Sequence, residues 1–206
     1  VRILLEGSEP ALQERTYEVL VGLGARAEHP LGATWLCNHL GSMDMAERDV
    51  EWSEFLRSAH SQSNAHRLLA WAETQDHAKV RPADAEQAMR LLALLLTTTD
   101  HLLRDRATRA LVLIGEAHPQ ELFAIAVEMI GFGDPYVPDR LLGAAYGVCM
   151  RRWAVESPQS KFADSIAGLA ERLLELLLRP SAPHSTWHTL IRGYAIGVVR
   201  VLLQLR

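Results

Sequence analysis

Leu103, Ala107, Ala110, Leu111 and Ile114 are followed 34 positions later by Val137, Leu141, Ala144, Ala145 and Val148, two apolar sets with the same i, i+4, i+7, i+8, i+11 spacing. At 3.6 residues per turn, that spacing gathers five small or aliphatic side chains on one face of a helix. A fixed offset between the copies implies stacked helical units, each burying its apolar face against its neighbour. An α-solenoid of this kind works by offering surface to a partner. The feature that most constrains the fold therefore argues against a buried catalytic pocket.

The copies share more than packing. Asp100 and Asp134 open them, and Arg106 aligns with Arg140. An Asp, an aliphatic residue and an Arg ahead of an Ala-rich helix resemble the inner helix of HEAT-type repeats. A third copy, 50 positions on, keeps the apolar spacing in Trp187, Ile191, Tyr194, Ala195 and Val198, but Leu190 stands where the Arg would be. The expected fold is all-α, a right-handed α-α superhelix of antiparallel helix pairs, HEAT- or armadillo-like. Arg106 and Arg140 are assigned to repeat stacking, through Arg106 with Asp139 or Asp105 with Arg140.

Residues 1–80 read as the N-terminal helical part of the array and 81–206 as three HEAT-like hairpins, in one continuous solenoid. Ser8, with Pro10 just inside, opens a helix to about Gly24. Further helices are expected near 32–40, 46–60 and 65–76. The polar stretch 75–82 is the best candidate boundary. Asp84 with Gln87 reads as a capping box. The hairpins pair 85–97 with 102–116, 119–130 with 136–153, and 162–178 with 185–205. Pro119 and Pro135 suit first-turn positions, and Pro138 is expected to delay the start of its helix. No period-2 run rich in β-branched residues appears, and only Val1–Leu5 is compatible with an extended segment.

Residues 1–99 carry 9 basic and 14 acidic groups and residues 100–206 carry 12 and 11, so neither half has the basic stripe that neutralises phosphates. A nucleic-acid partner is not expected. Only Lys79 and Lys161 among the basic residues are Lys, a bias that fits a GC-rich bacterial gene. Cys37 and Cys149 show no ligand spacing and read as buried thiols of a cytoplasmic protein. The apolar run Leu91–Leu96, like every other in the sequence, is far short of the ~20 residues a bilayer needs, so no membrane partner is expected, and no signal peptide is read at the start. The last helix is still periodic at the chain end, which predicts a segment excised from a longer protein.

Phosphate-binding glycine loops, HExxH and GxSxG are all absent, so no enzyme activity and no cofactor are expected. His184 and His188, four apart, lack a third and fourth metal ligand in sequence. Arg48 and Trp52 are candidate partner-binding residues, since Arg and Trp dominate interface energetics. The competing reading makes Trp52 core and pairs Arg48 locally with Glu51. Tyr136, Arg151, Arg152 and Trp153 are further candidate anchors for a protein partner.

The stretches MAERDVEW at 45–52, LLTTTDHLLRDRATRALVLIG at 95–115 and DPYVPDRLLGAAYGVCM at 134–150 resemble segments of the helical-repeat portion of large bacterial ATP-binding proteins of the STAND or NACHT-like kind. The resemblance implies a non-catalytic sensor or scaffold segment. Its partners would be proteins, phage-derived ones among them, and the flanking domains of its own longer chain. The nucleotide-binding residues of that family have no counterpart here. Two other readings stand beside it: a structural spacer or oligomerisation arm, and a HEAT-like DNA-repair glycosylase with a basic groove.

Overall fold

The computed structural model describes Leu5, residues 9–153 and residues 161–205, and every regular element among them is helical. Helix α1 (Pro10–Gly24) starts with proline, whose missing N–H is one that the first turn leaves unpaired anyway. The expected Ser8 cap and residues 1–4 lie outside the described residues, while Leu5 is helical and buried. Helix α2 (Ala33–Gly41) follows. The helix expected at 46–60 is interrupted: α3 (Met45–Arg48) passes through a π-helical turn (Asp49–Ser53) into α4 (Glu54–Ser58). Asp44 and Glu47 cap its start reciprocally, each carboxylate accepting the other's backbone N–H.

Ser63 caps α5 (Asn64–Thr74). The polar stretch after it holds a 3-10 turn (His77–Lys79), pinned by His77 Nε2 donating to the Ala72 carbonyl and His118 Nε2 donating to that of His77, at 2.8 and 2.9 Å. Helix α6 (Pro82–Leu95) begins at the proline, two residues before the expected cap. Asp84 is therefore inside the first turn, paired with Arg81 at 2.7 Å, and Gln87 instead accepts the Thr34 N–H at 3.2 Å, tying α6 to α2. A proline ready-made for the first helical position outcompetes the capping pattern downstream of it.

Helix α7 (His101–Ala117) is followed by α8 (Pro119–Glu128) with a 3-10 turn (Met129–Gly131), then α9 (Tyr136–Trp153). The aligned Asp100 and Asp134 do the same work: each carboxylate accepts backbone N–H groups of the helix it opens, Leu102 at 2.8 Å and Tyr136 at 2.9 Å. Pro138 does not delay α9, because it falls in the first turn, where no intrahelical N–H is needed. Helix α10 (Lys161–Leu173) runs into a second π-helical turn (Leu174–Leu178), and α11 (Thr189–Leu205) closes the described chain.

The helices pack as two rows. In the first, α1, α5, α7, α9 and α11 each contact the next; in the second, α2, α6, α8 and α10 do so; hairpin partners α6/α7, α8/α9 and α10/α11 join the rows. Neighbours in the first row run the same way. Asp105 meets Arg140 near the starts of α7 and α9, and Glu116 meets Arg151 near their ends, at 2.7 and 2.6 Å. All ten residues of the two aligned apolar sets are buried between the rows. The third set is only partly so: Ile191, Ala195 and Val198 are buried, but Trp187 is 97% exposed in the loop before α11, which starts four residues later than expected.

Candidate functional site

Helices α8 and α10 lie side by side in the second row and run in the same direction, with Gln120 Nε2 donating to Ser165 Oγ at 3.3 Å near their first turns and the Phe123 and Phe162 rings 6.2 Å apart. Between them is an open groove of about 670 Å³. Phe123, Ala124 and Val127 of α8 and Gly168 and Leu169 of α10 form its apolar floor. The groove exists because the facing residues are small: Ala124 and Gly168 are both exposed, and a Cβ on Gly168 would have nothing within 4 Å. Its rim is charged, with Lys161 and Asp164 towards one end and Glu128 and Arg172 towards the other.

Two rim charges are already held. The nearly buried Arg90 of α6 donates to both oxygens of Glu128, at 2.8 and 2.6 Å, and also to Glu86. Those hydrogen bonds hold the Glu128 carboxyl below its ordinary value against the opposing effect of desolvation. Arg172 donates to Glu175 at 2.8 Å. An apolar trough with a fixed charged rim suits an amphipathic segment of a partner.

The residues singled out from sequence are dispersed. Arg48 and Trp52 are fully buried and present no surface to a partner. Trp52 Nε1 donates to the Leu94 carbonyl at 3.1 Å and its ring meets Tyr17 edge-on. Arg48 does not pair with Glu51; it donates to the carbonyls of Gly133 (2.8 Å) and Leu40 (3.3 Å), lies 3.9 Å from Asp134, and sits over the Phe132 ring. It thus ties α3 to the loop before α9. Sequence spacing alone carries no trace of this 85-residue reach.

Tyr136 is exposed at the start of α9 beneath the Arg104 guanidinium, while Arg151, Arg152 and Trp153 are at its far end. An α-helix rises about 1.5 Å per residue, so these two groups are some 22 Å apart and form no single site. Arg151 is paired with Glu116, and Arg152 lies over the Phe162 ring at 4.1 Å. Arg140 pairs with Asp105, but Arg106 turns away from Asp139 and donates both its Nε and Nη2 to Glu73 of α5, each at 2.9 Å. The groove itself escaped the sequence reading. Its markers, Ala124 and Gly168, are neutral small residues, informative only once α8 and α10 are placed beside each other.

Cys37 and Cys149 are buried, which pushes each thiol up to about 12 and leaves both poor nucleophiles. His188 acts locally, its Nδ1 accepting the Ile191 N–H at 3.4 Å. Among the described residues no group of three or more His, Cys, Asp or Glu is placed to hold a metal ion, and no helix is long and apolar enough to cross a membrane. Comparison with known proteins finds no matching family model, curated relative or solved structure.

Proposed function

We propose that this chain is a non-catalytic helical-repeat scaffold, a HEAT-like solenoid whose groove between α8 and α10 receives a protein partner. The observation that carries this reading is the groove: an apolar floor opened by Ala124 and Gly168 and edged by charges held from behind. The two-row packing with helix neighbours running in parallel supports the repeat architecture. Within this reading the chain is the sensor segment of a larger bacterial ATP-binding protein, and the partner is a protein made during phage infection. Nucleic acid fits less well, because the Arg side chains of the first row face carboxylates of their neighbours at Arg106, Arg140 and Arg151.

The test is co-purification with this chain as bait from infected and uninfected cells, repeated with Gly168→Trp, which fills the groove from an exposed position. A protein recovered only after infection, and lost at least roughly tenfold with Gly168→Trp, supports the proposal. Recovery that is indifferent to Gly168→Trp overturns the groove. The spacer or oligomerisation reading is favoured by exposed Trp187, Leu190 and Leu203 around the last helix; it predicts self-association instead.

A further inference from the structure

The first row repeats one contact from helix to helix. A side chain of the earlier helix lies over a glycine of the later one: Val112 Cγ2 of α7 is 3.6 Å from where a Cβ on Gly147 of α9 would stand, and Tyr146 Cε2 of α9 is 2.6 Å from that on Gly197 of α11. The offsets that relate the apolar sets, 34 and then 50 positions, carry Val112 to Tyr146 and Gly147 to Gly197, and they carry Tyr146 on to Ile196. A second glycine works the other way. Gly143 of α9 receives Tyr194 of α11, whose Cε2 is 3.2 Å from the place of its Cβ, whereas the counterpart on α11, Gly193, is exposed with nothing within 4 Å. Helix α11 therefore carries the projecting side chain and the glycine notch with which α9 receives a row neighbour, and among the described residues nothing fills the notch.

The face around that notch is apolar and cationic. At 3.6 residues per turn, Arg192, Gly193, Ile196, Val199, Arg200 and Leu203 fall within about a third of the helix circumference. Gly193, Arg200 and Leu203 are exposed and the other three half-buried. Helix α11 has no acid along its length, and neither arginine makes a salt bridge among the described residues. Earlier in the row, α7 presents acids to its neighbour: Asp105 meets Arg140 of α9, and Glu116 meets Arg151. In the same register α11 has Thr189 and Arg200. A neighbour patterned like α9 would set an arginine against Arg200, and a second copy's α11 would bring arginines alone. Like charge opposes both, whereas an acidic helix is attracted.

We propose that this face of α11 docks an acidic amphipathic helix of another protein, laid against α11 as α11 is laid against α9, with carboxylates on Arg192 and Arg200. The two arginines are eight positions apart, about 12 Å along the axis, so the partner's acids stand two turns apart with its apolar stripe beside them. A small residue of the partner sits over Ile196, and a large one enters the notch at Gly193. This face belongs to the first row and the α8–α10 groove to the second, and either site stands without the other.

The test is fluorescence anisotropy of a stapled helical peptide with a Leu and Ala stripe and two Glu placed two turns apart, and of the same peptide with Lys in place of Glu. Each is titrated with the wild-type chain, the double variant Arg192→Glu with Arg200→Glu, Gly193→Trp and Gly168→Trp. The Glu peptide is expected to bind wild type and the groove-filling Gly168→Trp alike, and to bind the double variant and Gly193→Trp at least roughly tenfold more weakly. The Lys peptide reverses the preference between wild type and the double variant, which also shows that the double variant is folded. Absence of saturable binding to wild type overturns the site, as does binding indifferent to the charge reversal. Loss of binding in Gly168→Trp would put the peptide in the groove and overturn it as well. Light scattering on the free chain adds a further check: dimerisation abolished by Gly193→Trp would make a second copy the occupant and overturn the acidic partner.

Discussion

Arg90 of α6 clasps Glu128 of α8 with two hydrogen bonds, at 2.8 and 2.6 Å, from a guanidinium that is itself almost wholly buried. The pair joins neighbouring helices of the second row and fixes one corner of the groove rim. Glu128 is about half exposed, so solvent discounts the interaction. Glu128→Gln is expected to lower stability by about 1 kcal/mol in urea denaturation. The folded carboxyl is held below its ordinary 4.5. Its stabilisation is therefore present above that value and lost as pH falls through the lower folded one, and the variant should lack this part of acid unfolding.

Asp139 behaves in the opposite sense. Burial is the main cause that pushes its carboxyl above the ordinary 3.8, so the folded chain holds a proton that the unfolded chain has released. Stability then falls as pH rises from 3.8 to the folded value and is level above it. Asp139→Asn has no such proton. Melting temperatures measured from pH 3 to pH 7 should show the variant gaining on the wild type across that interval and keeping a constant advantage beyond it; a difference independent of pH would contradict this.

Two glycines should respond oppositely to alanine. At Gly115, a Cβ would press on Leu122 of α8 and come 3.2 Å from Val148 Cγ2 of α9. At Gly168 it would meet nothing. Replacing glycine in a helix interior by alanine gains about 0.5–1 kcal/mol where space allows. Gly168→Ala is therefore expected to stabilise by that amount. Overpacking at the α7–α8–α9 junction costs about 1–3 kcal/mol and outweighs the same gain, making Gly115→Ala destabilising. Chemical denaturation of both variants checks the pair.

Arg48→Met should cost about 3 kcal/mol, because it strips donors from the Gly133 and Leu40 carbonyls and leaves Asp134 as a buried acid without its nearby cation. Partner binding by the folded fraction should be unchanged. The readouts are a thermal melt and a titration with the recovered partner, and a binding loss without a stability loss would contradict the buried role.

Much of the helical plan is legible in the sequence alone. The i, i+4, i+7, i+8, i+11 spacing depends only on helix geometry, so Leu103–Ile114 and Val137–Val148 announced their faces, and Asp100 and Asp134 announced their helix starts. Boundaries were less secure where local signals compete, as when Pro82 displaced the Asp84 cap, or where a periodic position falls in a loop, as at Trp187.

Sequence determined which apolar faces α7 and α9 bury, because that is a matter of residues a few positions apart on one element. Tertiary structure decided which helices are neighbours, and with that everything requiring two elements at once. Arg48 could be assigned to solvent or core only after the Gly133 carbonyl, 85 residues away, was placed beside it. Ala124 and Gly168 became a groove only when α8 and α10 lay side by side. Asp139 became a buried acid only when the packed chain closed over it. Side-chain periodicity is local physics, whereas charge pairing and open space are properties of the packed chain.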